Sequence, residues 1–590
     1  RRRTGVVCPE ANLADITITP DEQRWADEAM HHRFFVHKGY QPSYFYGDDI
    51  DWEYWPVKDN ELRWQLHRHY WFIPLAKCYY TTGDAKYIDA WMDQYTDWVK
   101  KNPLDGVKRL KAAGASAAEI AAEKENIRFA WRPMEAGRRL QDLLTEFALT
   151  IHSPRFTPRF LNLFLRTYRQ HADHILHNYS KQGNHLLFEA QRMLFAGIYF
   201  PEFREAQEWR RSGIEILNRE IGVQVYPDGM QFELDFGYHI AAIDIFLKAL
   251  GMARANGYEG EFPASYIETV GKMTAVTWNL LFPDWSNPMF GDTKSHDKSS
   301  LQRQFRSWSK VFPGDKQLQW FASEGRKGAL PDYTSQQFPE SGFYVLRSGW
   351  DADATVMVLK AGPQGFWHCQ PDNGTFELWH RGRNFFPDSG CYVYAGDKEV
   401  TDQRNWFRQT QVHNTLTLDG RNLEHTDSKC LRWETDDATH IVTVGNPSYE
   451  GLTHRRTVWF VDRQFFVIAD EASGTAEGEV GLHYNLVECD PAEDFAACSA
   501  ATRFSDSNNL LLKVFGAERM ERREGWVSRT YRQRTERPAY AFTVRKRAGK
   551  PVRLVTVLLP AEDAAAQRVE AVWRGNRLQV KINGTKYNLK

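Results

Sequence analysis

The chain has 590 residues, 42% of them hydrophobic, with 75 Lys and Arg against 76 Asp and Glu. That length and apolar content provide for several domains and large cores, which excludes a disordered chain or a small disulfide-stapled fold. The near-zero net charge argues against wholesale coating of nucleic acid while leaving room for a local basic cleft, and no uninterrupted run approaches the roughly 18 apolar residues of a membrane span.

The chain opens Arg1-Arg2-Arg3-Thr4 with no apolar signal-peptide core behind it. The expectation is a cytoplasmic protein or one whose signal was removed before the first residue. Apolar residues then recur at helical spacing, as in Ile243, Phe246, Leu247 and Leu250. Residues 132–150, 159–176, 186–199 and 206–221 read as helices, divided by Ser153-Pro154, Lys181-Gln182-Gly183 and Pro201. Short loops between such helices force antiparallel neighbours, so the first 320 residues read as stacked helical hairpins. No repeat is sharp enough for a regular solenoid.

After residue 340 the period becomes two. Segments 355–359, 440–444, 480–484, 553–559 and 578–582 read as strands, and 457–461 with 465–469 as a hairpin about Asp462-Arg463-Gln464. Short strands at this spacing imply an antiparallel sandwich. The boundary is placed in the polar stretch Gly328 to Pro339, giving a helical domain 1–330 and a β-sandwich domain 331–590 of an α+β multidomain chain, with an interdomain cleft as the expected ligand site. Segment 503–553 is arginine-rich and reads as a solvated strand face, with a polyanion-binding rim as the sharper alternative. Seven cysteines show no CxxC pair, so at least one is unpaired; most read as small buried hydrophobes. The aromatic share is 14%, which suits both a Trp-rich core and stacking on sugar rings.

Three segments concentrate polar residues among aromatics. In Gln182-Gly183-Asn184-His185-Leu186-Leu187-Phe188-Glu189 the plain role of Asn184 is a helix N-cap. In the stretch from Asp228 to His239, Tyr238 and His239 stand where a helix starts after Gly237, and packing is their plain role. The densest runs from Phe366 to Leu378, followed by Pro387-Asp388-Ser389-Gly390 and His413-Asn414-Thr415. If 366–370 is extended, His368 and Gln370 share a face. Gln370, Asp388 and His413, brought together by adjacent strands, would make an acceptable hard-to-borderline metal site, or a buried hydrogen-bond network.

These runs, with Gly183-Asn184-His185 and Phe236-Gly237-Tyr238-His239 in the same order and spacing, closely resemble the heparinase II/III-like polysaccharide lyases over nearly the whole chain. The resemblance implies an incomplete (α/α) toroid of helical hairpins followed by an antiparallel β-sandwich. It implies cleavage of the glucosaminyl–uronic acid linkage of heparan sulfate by β-elimination, leaving a 4,5-unsaturated uronate. It places Asn184 at the substrate carboxylate, makes Tyr238 and His368 the proton-transfer pair with His239 beside them, and maps a structural divalent cation to Gln370, Asp388 and His413. Some relatives carry His at the position of Gln370, so calcium, zinc and manganese all stay open. Arg132, Glu135, Arg138 and His454 are the candidates for substrate contacts, His454 for sulfate or support. The implied protein is a monomer in the periplasm or secreted, with a polysaccharide partner and neither nucleic acid nor membrane.

The chemistry suits these residue types. Removing the C5 proton builds charge on the adjacent carboxylate, and an Asn amide donates hydrogen bonds there without adding charge. A neutral His accepts a proton and a neutral Tyr donates one to the leaving O4. A Tyr base needs nearby positive charge, which His239, Arg132, Arg138 or Arg139 would supply. Glucuronate and iduronate present the C5 proton on opposite faces; Tyr238 is expected to act as acid, and as base on at least one epimer, with His368 as base on the other. The alternatives are an alginate or other uronate lyase, a glycoside hydrolase using Glu189, Glu233 or Asp235, and a non-catalytic glycosaminoglycan-binding protein.

Overall fold

A computed structural model describes residues 6–9, 13, 16–40, 42–365, 367–425, 427–436 and 438–590. The opening Arg1–Thr4 and Phe366 of the third polar segment lie outside the described residues. Two compact units result: Arg1–Val223 with Ala242–Ile267 and Tyr394–Thr401, and Gln224–Ala241 with Glu268–Val393 and Asp402–Lys590. Compactness thus does not follow the change of secondary structure. The run of helices ends with Lys316–Ser323, and the first strand of the large sheets is Gln336–Phe338.

The first unit is helical. Helix Pro133–Thr150 packs against Pro158–Asn178, the neighbour that a short connection requires, and also against Phe72–Thr82 and Gly183–Tyr199. Helix Pro158–Asn178 shows why the pattern folds this way. Thr157 caps it by accepting from the Phe160 N–H, Pro158 stands at its first position, and Phe160, Phe164, Thr167, Tyr168, His171, Ala172 and Ile175 form its buried stripe. Each large side chain on that stripe contributes roughly 1.5–3 kcal/mol, and loss of the Thr157 cap costs about 1 kcal/mol. Helix Gly183–Tyr199 begins three residues before the expected Leu186, because Gly183 takes φ +82° and turns the chain into the helix. Asn184 therefore sits inside the first turn, and the N-cap position belongs to Gln182.

The second unit holds antiparallel sheets of eight, five, four, three and two strands. Strand Leu452–Val461 alternates between two cores. Val458 and Phe460 join Leu346 and Met357 of the five-stranded sheet and Leu482 and Phe542 of the four-stranded sheet. Trp459 and Val461 join Leu578 and Val580 of the three-stranded sheet. The eight-stranded sheet is thus buried on both faces, and the expected sandwich carries a third layer at residues 569–589. The expected hairpin forms, with Val461 opposite Phe465 and positive φ at Asp462 and Arg463 closing the turn.

The arginine-rich segment is largely a solvated, ion-paired face: Arg519 pairs with Glu479, Arg522 with Glu493 and Arg529 with Glu488. Arg537 is the exception, buried and donating to the Pro387 carbonyl and to Ser389 Oγ at 2.6 Å. All seven cysteines are free thiols. Helix Phe236–Ala255 is long and apolar enough by composition to cross a membrane, which counting uninterrupted apolar runs did not register; 61% of its most apolar window is buried inside the protein.

Candidate active site

In the second unit, Asp235 builds the platform for Tyr238. Its Oδ1 accepts from the backbone N–H of Gly237 at 2.8 Å and of Tyr238 at 3.1 Å, fixing the first turn of helix Phe236–Ala255. The Tyr238 ring then lies on the His368 ring, with centroids 3.7 Å apart and planes 15° from parallel. His368 does not sit on a strand: Trp367 and His368 form a turn, with Trp367 exposed and His368 buried. Even so, His368 and Gln370 reach one partner. His368 Nδ1 meets Asp292 Oδ2 at 2.8 Å, and Gln370 Nε2 lies 3.4 Å from Asp292 Oδ1. Arg404 Nη2 donates to Asp292 Oδ2 at 2.6 Å, and His368 Nε2 lies 3.7 Å from Glu233 Oε2.

The charges follow from this packing. Burial opposes the imidazolium, but the Asp292 bond and the neighbouring carboxylates outweigh it, so His368 is held above the ordinary histidine value. Burial also disfavours ionised Asp292, yet His368 and Arg404 hold it below the usual carboxylate range. Asp235, buried and less well compensated, is pushed up to about 6. A phenol and an imidazole in face contact, with the imidazole's proton held more tightly than in a free histidine, can exchange protons with a substrate, and the charged imidazole can stabilise negative charge on the phenolic oxygen.

His239 does not take part. It is fully buried, with Nδ1 accepting from the Gln231 N–H at 3.2 Å and Nε2 2.9 Å from the Met273 carbonyl, and burial lowers it to about 4. It is neutral and spent on backbone, so the expected catalytic role is corrected to a structural one. His454 is likewise buried, its Nε2 2.6 Å from Asp470 Oδ1 beside the buried Arg456; it supports the fold and offers no edge to a substrate.

Asp388 and His413 are brought together, Nδ1 to Oδ2 at 2.7 Å, with the Gly390 N–H donating to Asp388 Oδ1 at 2.9 Å. All three expected ligands stand in loops rather than on adjacent strands. Gln370 spends its amide N–H on the Gly291 carbonyl at 2.8 Å, which leaves Oε1 buried without a hydrogen-bond partner; His413 Nε2 is buried and unpartnered too. An orphaned carbonyl oxygen, an orphaned imidazole nitrogen and a carboxylate match the donor set of a hard-to-borderline divalent cation. Among the described residues no cluster of three or more His, Cys, Asp or Glu is arranged for a metal, and this trio has only two such residues.

In the first unit, Asn184 is half-buried in the first turn of its helix, which packs on the helix carrying Glu135 and Arg138. Glu135 is fully buried between Arg68, at 2.9 Å, and Arg132, at 2.7 Å. Burial raises its carboxyl, but the two guanidiniums win and lower it to about 2. Glu135 therefore fixes arginines rather than touching a substrate, a correction to its expected role. Arg138 pairs with Asp142 at 3.0 Å. Arg132 and Arg138 are partly exposed, so each guanidinium is braced from behind and keeps an outward edge. Arg139 is buried, bonded to His171 and the His67 carbonyl, and offers no such edge. Arg68, braced like Arg132 and bonded to the Tyr70 hydroxyl at 3.1 Å, was missed by sequence reading. Asp292 and Arg404 were missed as well.

Residues 1–320 match the family model described as Heparinase II/III N-terminus, and residues 331–566 match Heparinase II/III-like, C-terminal. The chain belongs to the heparinase II/III family. A Heparin-sulfate lyase of Bacteroides stercoris is 51% identical, covering 100% of this chain and 90% of the relative. A Heparin-sulfate lyase of Pedobacter heparinus is 45% identical over 94% of this chain and 82% of its own length. Among solved structures, one titled Heparinase III superposes with a TM-score of 0.92 at 31% identity, covering 100% of this chain and 93% of that one. Heparan sulfate lyase HepC from Pedobacter heparinus gives 0.73 at 43% identity, with 98% and 90% covered. Membership in this family agrees with the helical first part and the antiparallel sheets that follow.

Proposed function

We propose that this member of the family is a heparan sulfate lyase that breaks glucosaminyl–uronic acid linkages by β-elimination. Relatives named heparin-sulfate lyase at 51% and 45% identity over nearly the whole chain support the substrate class. The observation that carries the chemistry is the face-to-face contact of Tyr238 and His368 at 3.7 Å. A base takes the C5 proton, the electron pair left behind forms the C4=C5 double bond, the C4–O4 bond breaks, and an acid returns a proton to O4. No water is consumed. Tyr238 donates to O4 and serves as base on at least one uronate epimer; His368 serves as base on the other, and in its charged form stabilises the phenolic oxygen. Asn184 donates to the uronate carboxylate as charge builds there. Arg132 and Arg138 offer braced guanidinium edges to sulfonate or carboxylate groups.

Gln370, Asp388 and His413 would hold a divalent cation, calcium, zinc or manganese, whose contribution is to tie their loops together. Residues 1–330 are read as an incomplete (α/α) toroid and 331–590 as the β-sandwich domain, in a monomer of the periplasm or one that is secreted. Incubation with heparan sulfate, following the ultraviolet absorbance of the unsaturated uronate, tests the reading. Product from alginate alone would support the other uronate lyase, reducing ends without absorbance the hydrolase, and binding without any product the non-catalytic protein.

A further inference from the structure

The loop segment Gly291-Asp292-Thr293 reaches every member of the Tyr238–His368 arrangement. Thr293 Oγ1 accepts from the Gly237 N–H at 2.7 Å, beside Tyr238. The Gly291 carbonyl accepts from Gln370 Nε2 at 2.8 Å, and a Cβ on Gly291 would lie 2.7 Å from the His368 carbonyl oxygen. Between them Asp292, 2% exposed, meets His368 Nδ1 at 2.8 Å and Arg404 Nη2 at 2.6 Å. We propose that Asp292 is a positioning residue that keeps the proton on His368 Nδ1 and thereby makes Nε2 the one atom of that ring that exchanges a proton with the sugar.

The reasoning is one of donors and acceptors. An ionised carboxylate only accepts, so the ring nitrogen facing it carries hydrogen whether His368 is neutral or charged. The opposite nitrogen, 3.7 Å from Glu233 Oε2, is then the one that gives up or takes up the transferred proton. Tyr238 covers one face of the ring, so turning the imidazole breaks both the Asp292 bond and the stack. Arg404 donates to the same carboxylate oxygen that His368 Nδ1 meets and keeps the group ionised, its other amino group donating to Cys391 Sγ at 3.0 Å. Arg404 also makes Asp292→Asn informative. The guanidinium requires an oxygen at the Oδ2 position, the same atom that His368 Nδ1 meets, so the amide oxygen still accepts from Nδ1 while its N–H2 takes the Oδ1 side.

The inference rests on His368 moving a proton in the lyase reaction, so His368→Gln is assayed alongside. Asp292→Leu, which removes the acceptor, is expected to lower kcat on heparan sulfate about 100-fold or more with KM unchanged, whereas Asp292→Asn, which keeps an oxygen before Nδ1, is expected to lose much less. Arg404→Gln, which leaves the Asp292–His368 bond in place, is expected to lose much less. An Asp292 that merely balances Arg404 would give equal losses in Asp292→Leu and Asp292→Asn, since both remove its charge. Folded Asp292→Leu with wild-type kcat, beside an inactive His368→Gln, overturns the positioning role alone. Wild-type turnover in His368→Gln overturns the site assignment and the inference with it. Should Asp292→Leu not fold, nitrogen-15 spectra of histidine-labelled wild-type protein, assigned by difference from His368→Gln, carry the test: a protonated Nδ1 supports the proposal and a bare Nδ1 refutes it.

Discussion

Replacing Gly291 by Ala separates backbone strain from damage to the site. Gly291 has φ +77°, a conformation that costs a residue with a Cβ about 1–2 kcal/mol. The added carbon would lie 2.7 Å from the His368 carbonyl oxygen and 3.3 Å from Asp235 Oδ2, where ordinary contact begins at 3.4 Å. Overpacking of this kind adds about 1–3 kcal/mol, so the total loss of stability is about 2–5 kcal/mol. The obstructing atom is backbone of the turn that carries His368, so relief requires moving that turn. Displacements near 1 Å in a catalytic constellation cost up to about 100-fold, and kcat is expected to fall at least tenfold. Gly83→Ala is the control. Gly83 has φ +72° with nothing within 4 Å of its Cβ, so it suffers the strain alone and keeps its kcat. Thermal melting and initial rates of ultraviolet product, measured on both variants, decide the matter. Wild-type kcat in Gly291→Ala, or an equal kcat loss in Gly83→Ala, would refute the reasoning.

Three further outcomes are expected. Arg456→Met strips Asp470 of a buried partner that also holds the Gly374 and Asn414 carbonyls, and should cost about 3–5 kcal/mol in denaturant melts; an unchanged midpoint contradicts this. Glu189 is raised by burial to about 7 from an ordinary 4.5, so the unfolded chain ionises first and stability falls as pH rises from 4.5 through 7, by up to about 3 kcal/mol. Glu135, lowered to about 2, acts in the opposite sense: its stability is present above pH 4.5 and lost as pH falls toward 2. Melting of Glu189→Gln across pH should lack the first slope and keep the second. A chelator should lower the melting temperature more than it alters the pH–rate profile of surviving enzyme, whereas abolished turnover at an unchanged melting temperature would contradict a structural cation.

What was legible in the sequence was whatever repeats locally. The stripe from Phe160 to Ile175 and the apolar run from Val458 to Val461 announce a helix and a strand through spacing and residue type alone. The third sheet layer could not be read, because Leu578 and Val580 alternate in the same way whether their face meets one sheet or another. The site was legible only where residues stand together in a run. Asp292 lies in a loop 76 positions before His368, and no local period connects them. Its signal, an Asp between Gly291 and Thr293 in an aromatic-rich loop, is weak. The same reliance on runs misplaced His239, which shares a motif with Tyr238 yet points into the core, and Glu135, whose burial under two arginines no spacing discloses.

Tyr238→Phe tests the central claim most directly. The substitution removes one oxygen and leaves the ring that stacks on His368, so the variant should melt as the wild type does. On heparan sulfate fractions rich in glucuronate and in iduronate, ultraviolet initial rates are expected to collapse for both epimers. Normal turnover on both would mean that the phenol moves no proton, and the reaction would have to be assigned to other residues.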